Sequence, residues 1–112
     1  MKTQRNPQLL KIVQILEELR KLDSEMQAQQ ALVFITVALN EGMTMKDLGK
    51  NLGISQSSCS RNIAALSRIH RLNKLGLDLV VATEDPEERR RKVLRLTHKG
   101  KKVIETLEML AK

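Results

Sequence analysis

The chain has 112 residues, with 20 Lys and Arg against 13 Asp and Glu and a formal charge of +7. That length suits one domain around one core, and with Phe34 as the sole aromatic residue the core must be aliphatic. The shortage excludes aromatic cages and sheets that stack bases on aromatic rings, and one cysteine, Cys59, excludes an internal disulfide or a thiolate metal site.

Asn6-Pro7 starts a helix, with an acceptor at the cap and Pro at the first helical position. Its apolar residues, from Leu9 and Leu10 through Ile15 and Leu16 to Leu19 and Leu22, cover more than half the wheel. A helix lying on one core needs a narrower stripe, so the width points to contact on two sides, one of them a second subunit. Ser24 with Gln27 reads as a capping box that opens a second helix, which runs through Phe34 to Leu39 and stops at Asn40-Glu41-Gly42. Thr44 with Asp47 opens a third, short helix burying Met45, Leu48 and Leu52. Gly53 is a left-handed stop and Ser55 caps a fresh helix from Gln56. Two helices joined by a few residues containing Gly make a helix-turn-helix.

The period then changes. Leu77 to Thr83 and Lys92 to Leu96 read as two strands around a charged tip, Glu84 to Arg91, and so as a β-hairpin. Thr97 caps a last helix with Val103, Ile104, Leu107, Leu110 and Ala111 on its inner face. The expected class is mainly α with a small β-hairpin wing (α+β), a winged helix-turn-helix in a single domain over 1–112. Within it, the N-terminal helix spans 1–23, the helix-turn-helix 44–69, the wing 77–97 and the C-terminal helix 98–112.

The charge has an address. From Leu48 to Leu77 there is no acid against five bases, and residues 78–102 add a further +3, while both ends are near neutral. Localised positive charge favours a polyanion, the plainer alternative being a solvated surface. On the helix over 56–69, Cys59, Ile63, Leu66 and His70 share an inner face. Ser57, Arg61, Ala64 and Arg68 lie opposite, flanked by Ser58 and Ser60. Short polar side chains permit close approach to a major groove, and Arg61 can reach a guanine edge or a phosphate. Gln56 stands in the first turn, where such a helix reads bases. At the hairpin tip, Arg89, Arg90 or Arg91 can enter a minor groove, with neighbouring acids holding the arginines in place; a solvated, self-paired turn is the alternative. Lys99, Lys101 and Lys102 open the last helix, where the macrodipole disfavours cations unless phosphate is near.

No catalytic function is expected. His70 and His98 are too few and too far apart for a metal site, no Gly-rich phosphate loop is present, and no nucleophile stands near a base. Cys59 fits a small buried hydrophobe better than a redox sensor. No apolar run approaches the ~18 residues of a membrane span. Met1 to Asn6 lead into no signal-peptide core, so the cytoplasm is the expected compartment.

Taken in order, Met43 to Leu48, Leu52-Gly53-Ile54-Ser55, Ser58-Cys59-Ser60-Arg61, Asp85 to Arg90 and Leu96 to Gly100 resemble the MarR family of winged-helix regulators. The resemblance implies double-stranded DNA as partner and a homodimer. It sets the helix from Gln56 in the major groove and puts Glu88-Arg89-Arg90 on the family's Asp-x-Arg wing motif, giving Arg90 the minor-groove role. This chain departs from the family pattern in three ways. Gly76 comes about six residues late, so that Ser67 to Leu75 extends the helix or forms an added loop bearing Arg68, Arg71 and Lys74. The C-terminal helix is short, and the aromatic-poor composition gives little support to a small-molecule effector. The reading is a dimeric, sequence-specific repressor without cofactor or metal. A winged helix used for protein docking, or a sequence-independent DNA-coating protein, are the alternatives.

Overall fold

The computed structural model describes residues 6–68 and 74–112. Its elements run α1 (Pro7–Leu22), α2 (Ala28–Leu39), α3 (Met45–Leu52), α4 (Gln56–Leu66), β1 (Val80–Glu84), β2 (Lys92–Leu96) and α5 (His98–Ala111). The expected α+β winged helix-turn-helix is the observed fold. Four of the helices begin where a short polar side chain accepts a backbone N–H that the helix itself cannot satisfy. Asn6 accepts from Leu9, Ser55 from Ser58 and Thr97 from Gly100, while Thr44 and Asp47 form a reciprocal capping box. Between α3 and α4 the chain turns through Gly53 at φ +66°, a left-handed conformation that costs glycine no side-chain clash.

The expected capping box at Ser24 does not form. Asp23 instead accepts from the Glu25 amide at 2.9 Å, and its carbonyl accepts from Met26 at 3.1 Å. This tight turn delays α2 to Ala28, whose cap position, Gln27, has no side-chain cap bond.

The core is the aliphatic one required. Val33, Phe34 and Val37 of α2 meet Leu48, Cys59, Ile63, Leu66, Leu79, Val80, Leu94 and Leu107, all buried. Met45 and Leu52 are half-buried, and Ala111, expected on the inner face of α5, is exposed. Gly100 lets α5 start against the backbone just before β1, because a Cβ there would collide with the Leu79 carbonyl.

β1 and β2 are antiparallel, with Val80 opposite Leu96 and Glu84 opposite Lys92. β1 starts at Val80 rather than Leu77 because Asp78 takes a positive φ of 57° and interrupts the extended run. The residues before it bond to the end of α4 instead: Leu77 N donates to Ala65 O at 3.1 Å and Leu79 N to Leu66 O at 2.7 Å. The other edge of β2 is also occupied. Gly42 N donates to Leu94 O and Leu94 N to Met43 O, both at 2.8 Å, and Thr44 bridges Val93. Glu41 then accepts the Leu96 amide at 2.8 Å.

α1 packs mainly on α5. Leu19 is buried and Ile15 and Leu22 are half-buried, while Leu9, Ile12, Val13 and Leu16 are each more than half exposed. The radius of gyration is 15.1 Å with a long axis of 53 Å, against about 13 Å for a chain of this length folded as a sphere-like domain.

Candidate nucleic-acid interface

α4 is held from behind and open in front. Cys59, Ile63 and Leu66 are buried, as the 3.6-residue period requires. Gln56, Ser57, Ser60 and Arg61 are exposed, and Ser58 and Ala64 are half-buried. Ser58 is engaged three times: its amide donates to the Ser55 hydroxyl at 3.1 Å, and its own hydroxyl accepts from Ser55 Oγ at 3.1 Å and from Arg61 Nη2 at 3.2 Å. Arg61 is therefore aligned along the serine face of the helix. The Cys59 thiol is pushed up by burial and stays protonated, as suits a packing residue rather than a reactive one.

α4 ends earlier than its apolar spacing suggests, at Leu66 rather than 69. The Ser67 hydroxyl donates back to Ile63 O at 2.6 Å, and its backbone turns to an extended ψ of 174°. Arg68 is thus exposed beyond the helix rather than in line with Arg61. Gly76 N donates to Arg68 O at 2.9 Å, so the chain returns beside the point where it left, and Ser67 does not continue the helix. Ile69, His70 and Arg71 lie outside the described residues; Lys74 is exposed.

Asn62 was not singled out in the sequence. Its Nδ2 donates to Gln29 Oε1 and to Ser58 O, both at 2.9 Å, which ties α4 to the start of α2. No local pattern marks such a bond between residues 33 apart in the chain.

The tip of the wing is closed by an acid. Asp85 accepts from the Glu87 amide at 3.0 Å and from Arg91 Nε and Nη2 at 2.9 and 2.5 Å. The Glu87 N–H and then the Arg91 guanidinium hold the Asp85 carboxyl below the usual aspartate range. Glu88 contributes its carbonyl, which accepts the Arg91 amide at 3.0 Å. Of the three arginines, Arg91 is held at the base of the tip. Arg89 and Arg90 are exposed and form no ion pair among the described residues. Lys99, Lys101 and Lys102, near the start of α5, are exposed.

Among the described residues no three His, Cys, Asp or Glu side chains group as metal ligands, and no helix is long and apolar enough to cross a membrane.

A helix-turn-helix followed by a two-stranded wing, with bases along both, defines a winged-helix protein. The family model of the winged helix DNA-binding domain matches residues 26–100, and the chain belongs to that family. A search of curated protein sequences finds no match. Among solved structures the chain is similar to a MarR-like transcriptional regulator from Thermotoga maritima, at 27% identity over 77% of this chain and 55% of that one, with a TM-score of 0.64. MepR of S. aureus in complex with DNA shares the fold at 22% identity, 88% and 74% coverage and a TM-score of 0.70. So does the repressor CouR bound to a 23-mer DNA duplex, at 23% identity, 88% and 65% coverage and a TM-score of 0.63. The resemblance to MarR-like regulators read from the motifs is borne out. The chain spans less than two thirds of the length of the Thermotoga maritima protein and of CouR.

Proposed function

We propose that this chain is a dimeric, sequence-specific regulator of transcription that binds duplex DNA and represses by occluding an operator. The observation that carries the reading is the front of α4: Gln56, Ser57, Ser60 and Arg61 exposed on a helix braced from behind, in a stretch of 30 residues without an acid. Gln56, Ser57, Ser58, Ser60 and Arg61 would meet base edges and phosphates of a major groove. Arg68, just past the helix, would meet backbone. Arg89 and Arg90 would enter the adjoining minor groove, whereas Arg91, bound to Asp85, would act mainly by shaping the tip. The solved complexes of MepR and CouR with DNA support this assignment of partner.

The exposed apolar residues of α1 support a second copy as the cover for that helix. A two-fold dimer would prefer a pseudo-palindrome with half-sites about one helical turn apart. Most of the exposed large apolar residues lie on α1, α2 and α5, with Leu75 and Val81 outside those helices and none on α4 itself. This favours DNA over a docking protein as the partner of α4.

Selection of bound duplexes from a random pool tests specificity, symmetry and spacing together. Enrichment of a two-fold sequence is the expected outcome. Enrichment of nothing, with binding equal to random competitor DNA, would replace the regulator with a DNA-coating protein.

A further inference from the structure

The back of α4 is held by Cys59, Ile63 and Leu66, buried among aliphatic neighbours, and apolar packing carries little directional information. The directional contacts lie mostly at the two ends. Ile54 N donates to Gly49 O at 3.1 Å before the helix, and the amides of Leu77 and Leu79 bond to Ala65 and Leu66 at its close. Between those ends, among the described residues, one side-chain hydrogen bond joins α4 to another element, from Asn62 Nδ2 to Gln29 Oε1 of α2 at 2.9 Å. We infer that Asn62 and Gln29 are positioning residues for sequence recognition: their bond sets the roll of α4 about its own axis, and with it the aim of Arg61 and the serines at base edges. The inference rests on the DNA-binding reading and adds to it two residues that act without touching DNA.

Both ends of the bond are fixed. The Asn62 amide nitrogen carries two hydrogens, and each has its own acceptor, Gln29 Oε1 and Ser58 O, both at 2.9 Å. The second bond ties the amide to its own helix one turn back, so the side chain cannot swing without losing it. Gln29 stands one turn before Val33 on the same face of α2, and Val33 is fully buried in the core. Asn62 is half-buried at the edge of the exposed front and adjoins Arg61 in the chain. Ser58, which accepts from Asn62 through its carbonyl, also accepts from Arg61 through its hydroxyl. One network therefore runs from the core-anchored α2 to the arginine on the reading face. The distances involved are small. A roll of about 10° carries a side-chain tip about 6 Å from the helix axis through about 1 Å, and a binding group works only when held within about 0.5 Å. A shift of that size also breaks an N–H···O bond, so the tether resists it.

The test uses the full chain, the duplex enriched by selection and its single-base variants. Discrimination, the ratio of Kd for a variant duplex to Kd for the selected one, is measured for the wild type, Asn62→Leu, Gln29→Leu, the double variant and Gln29→Glu. Binding to random duplex and thermal unfolding are followed beside it. Leucine keeps the bulk and removes the hydrogen bond. Discrimination at the bases facing α4 should fall roughly 3- to 10-fold in each leucine variant, the net worth of one hydrogen bond. Binding to random duplex, which phosphates drive, should hold. The double variant should lose no more than either single one, and Gln29→Glu, which keeps the acceptor, should discriminate as the wild type does. Full discrimination in Asn62→Leu, or additive losses in the double variant, would overturn the inference and leave the DNA reading intact. So would equal losses on selected and random duplexes, which mark a merely structural role, or a loss in Asn62→Leu without one in Gln29→Leu, which would make Asn62 itself a base reader. A wild type that does not discriminate among duplexes overturns both.

Discussion

Asp85 and Arg91 close the wing tip on itself. The carboxylate accepts both Nε and Nη2 of the arginine, and the Asp85 amide donates to the Arg91 carbonyl at 2.9 Å. Since the carboxyl is held below the usual aspartate range, it stabilises the tip above its unfolded value and loses that contribution as pH falls through the folded one. The tip should therefore stay closed at neutral pH and open only in acid below the usual aspartate range. Hydrogen exchange of the 85–91 amides against pH reads this directly. Asp85→Asn should remove the acid step and raise exchange at neutral pH; equal protection in the two proteins would contradict the latch.

Arg61→Ala should weaken binding to the selected duplex by ~1–3 kcal/mol and relax preference at one base position. Ser58→Ala removes the hydroxyl that aligns Arg61 and should give a smaller loss in the same direction. Competition binding against a panel of single-base variants separates the two effects. An unchanged preference in Arg61→Ala would remove this residue from the reading set.

Phe34 is the only Phe, Tyr or Trp in the chain and is fully buried among aliphatic neighbours. Phe34→Ala should cost about 3–5 kcal/mol, because the cavity collapses only partly. Urea unfolding followed by circular dichroism measures it.

Gly100→Ala should destabilise by about 1–3 kcal/mol, since the new Cβ meets the Leu79 carbonyl, a backbone atom that cannot swing aside. Gly53→Ala tests a different cost, a methyl in open space but at positive φ, and is expected to cost roughly 1–2 kcal/mol. The same unfolding assay ranks them.

Val13→Glu with Leu16→Glu places two charges on a surface already exposed in the single chain. Helical content and melting of the isolated fold should hold, while sedimentation should show the proposed wild-type dimer reduced to a monomer. Unchanged assembly would move the dimer contact away from α1.

Much of this fold could be read locally. The caps at Asn6, Thr44, Ser55 and Thr97 work over three residues, so the sequence carries both partners in view. β2 was bounded to the residue because its apolar run ends at a helix cap. Ser24 was misread for the opposite reason. Its spacing to Gln27 matched a capping box, but Asp23 one residue earlier competed for the same turn and won. The end of α4 and the start of β1 were hidden because each is set by the other, through Leu77 with Ala65 and Leu79 with Leu66. In the site, the exposed face of α4 followed from helical period alone. Which acid at the tip holds which arginine, and the tether from Asn62 to Gln29, did not, because each joins residues that only the folded turns and packed elements bring together.

β2 has a neighbour on each side, β1 on one and residues 42–44 on the other. A wing anchored along the outer edge of β2 has little freedom to follow the contour of an operator, and under the proposed function the duplex would have to conform to the protein. Base pairs between two half-sites, touched by no side chain, would then enter the affinity through their stiffness, at about 1–6 kcal/mol for bends of roughly 40–90°. Two operators with identical half-sites and different spacers would be told apart by a protein that reads neither spacer.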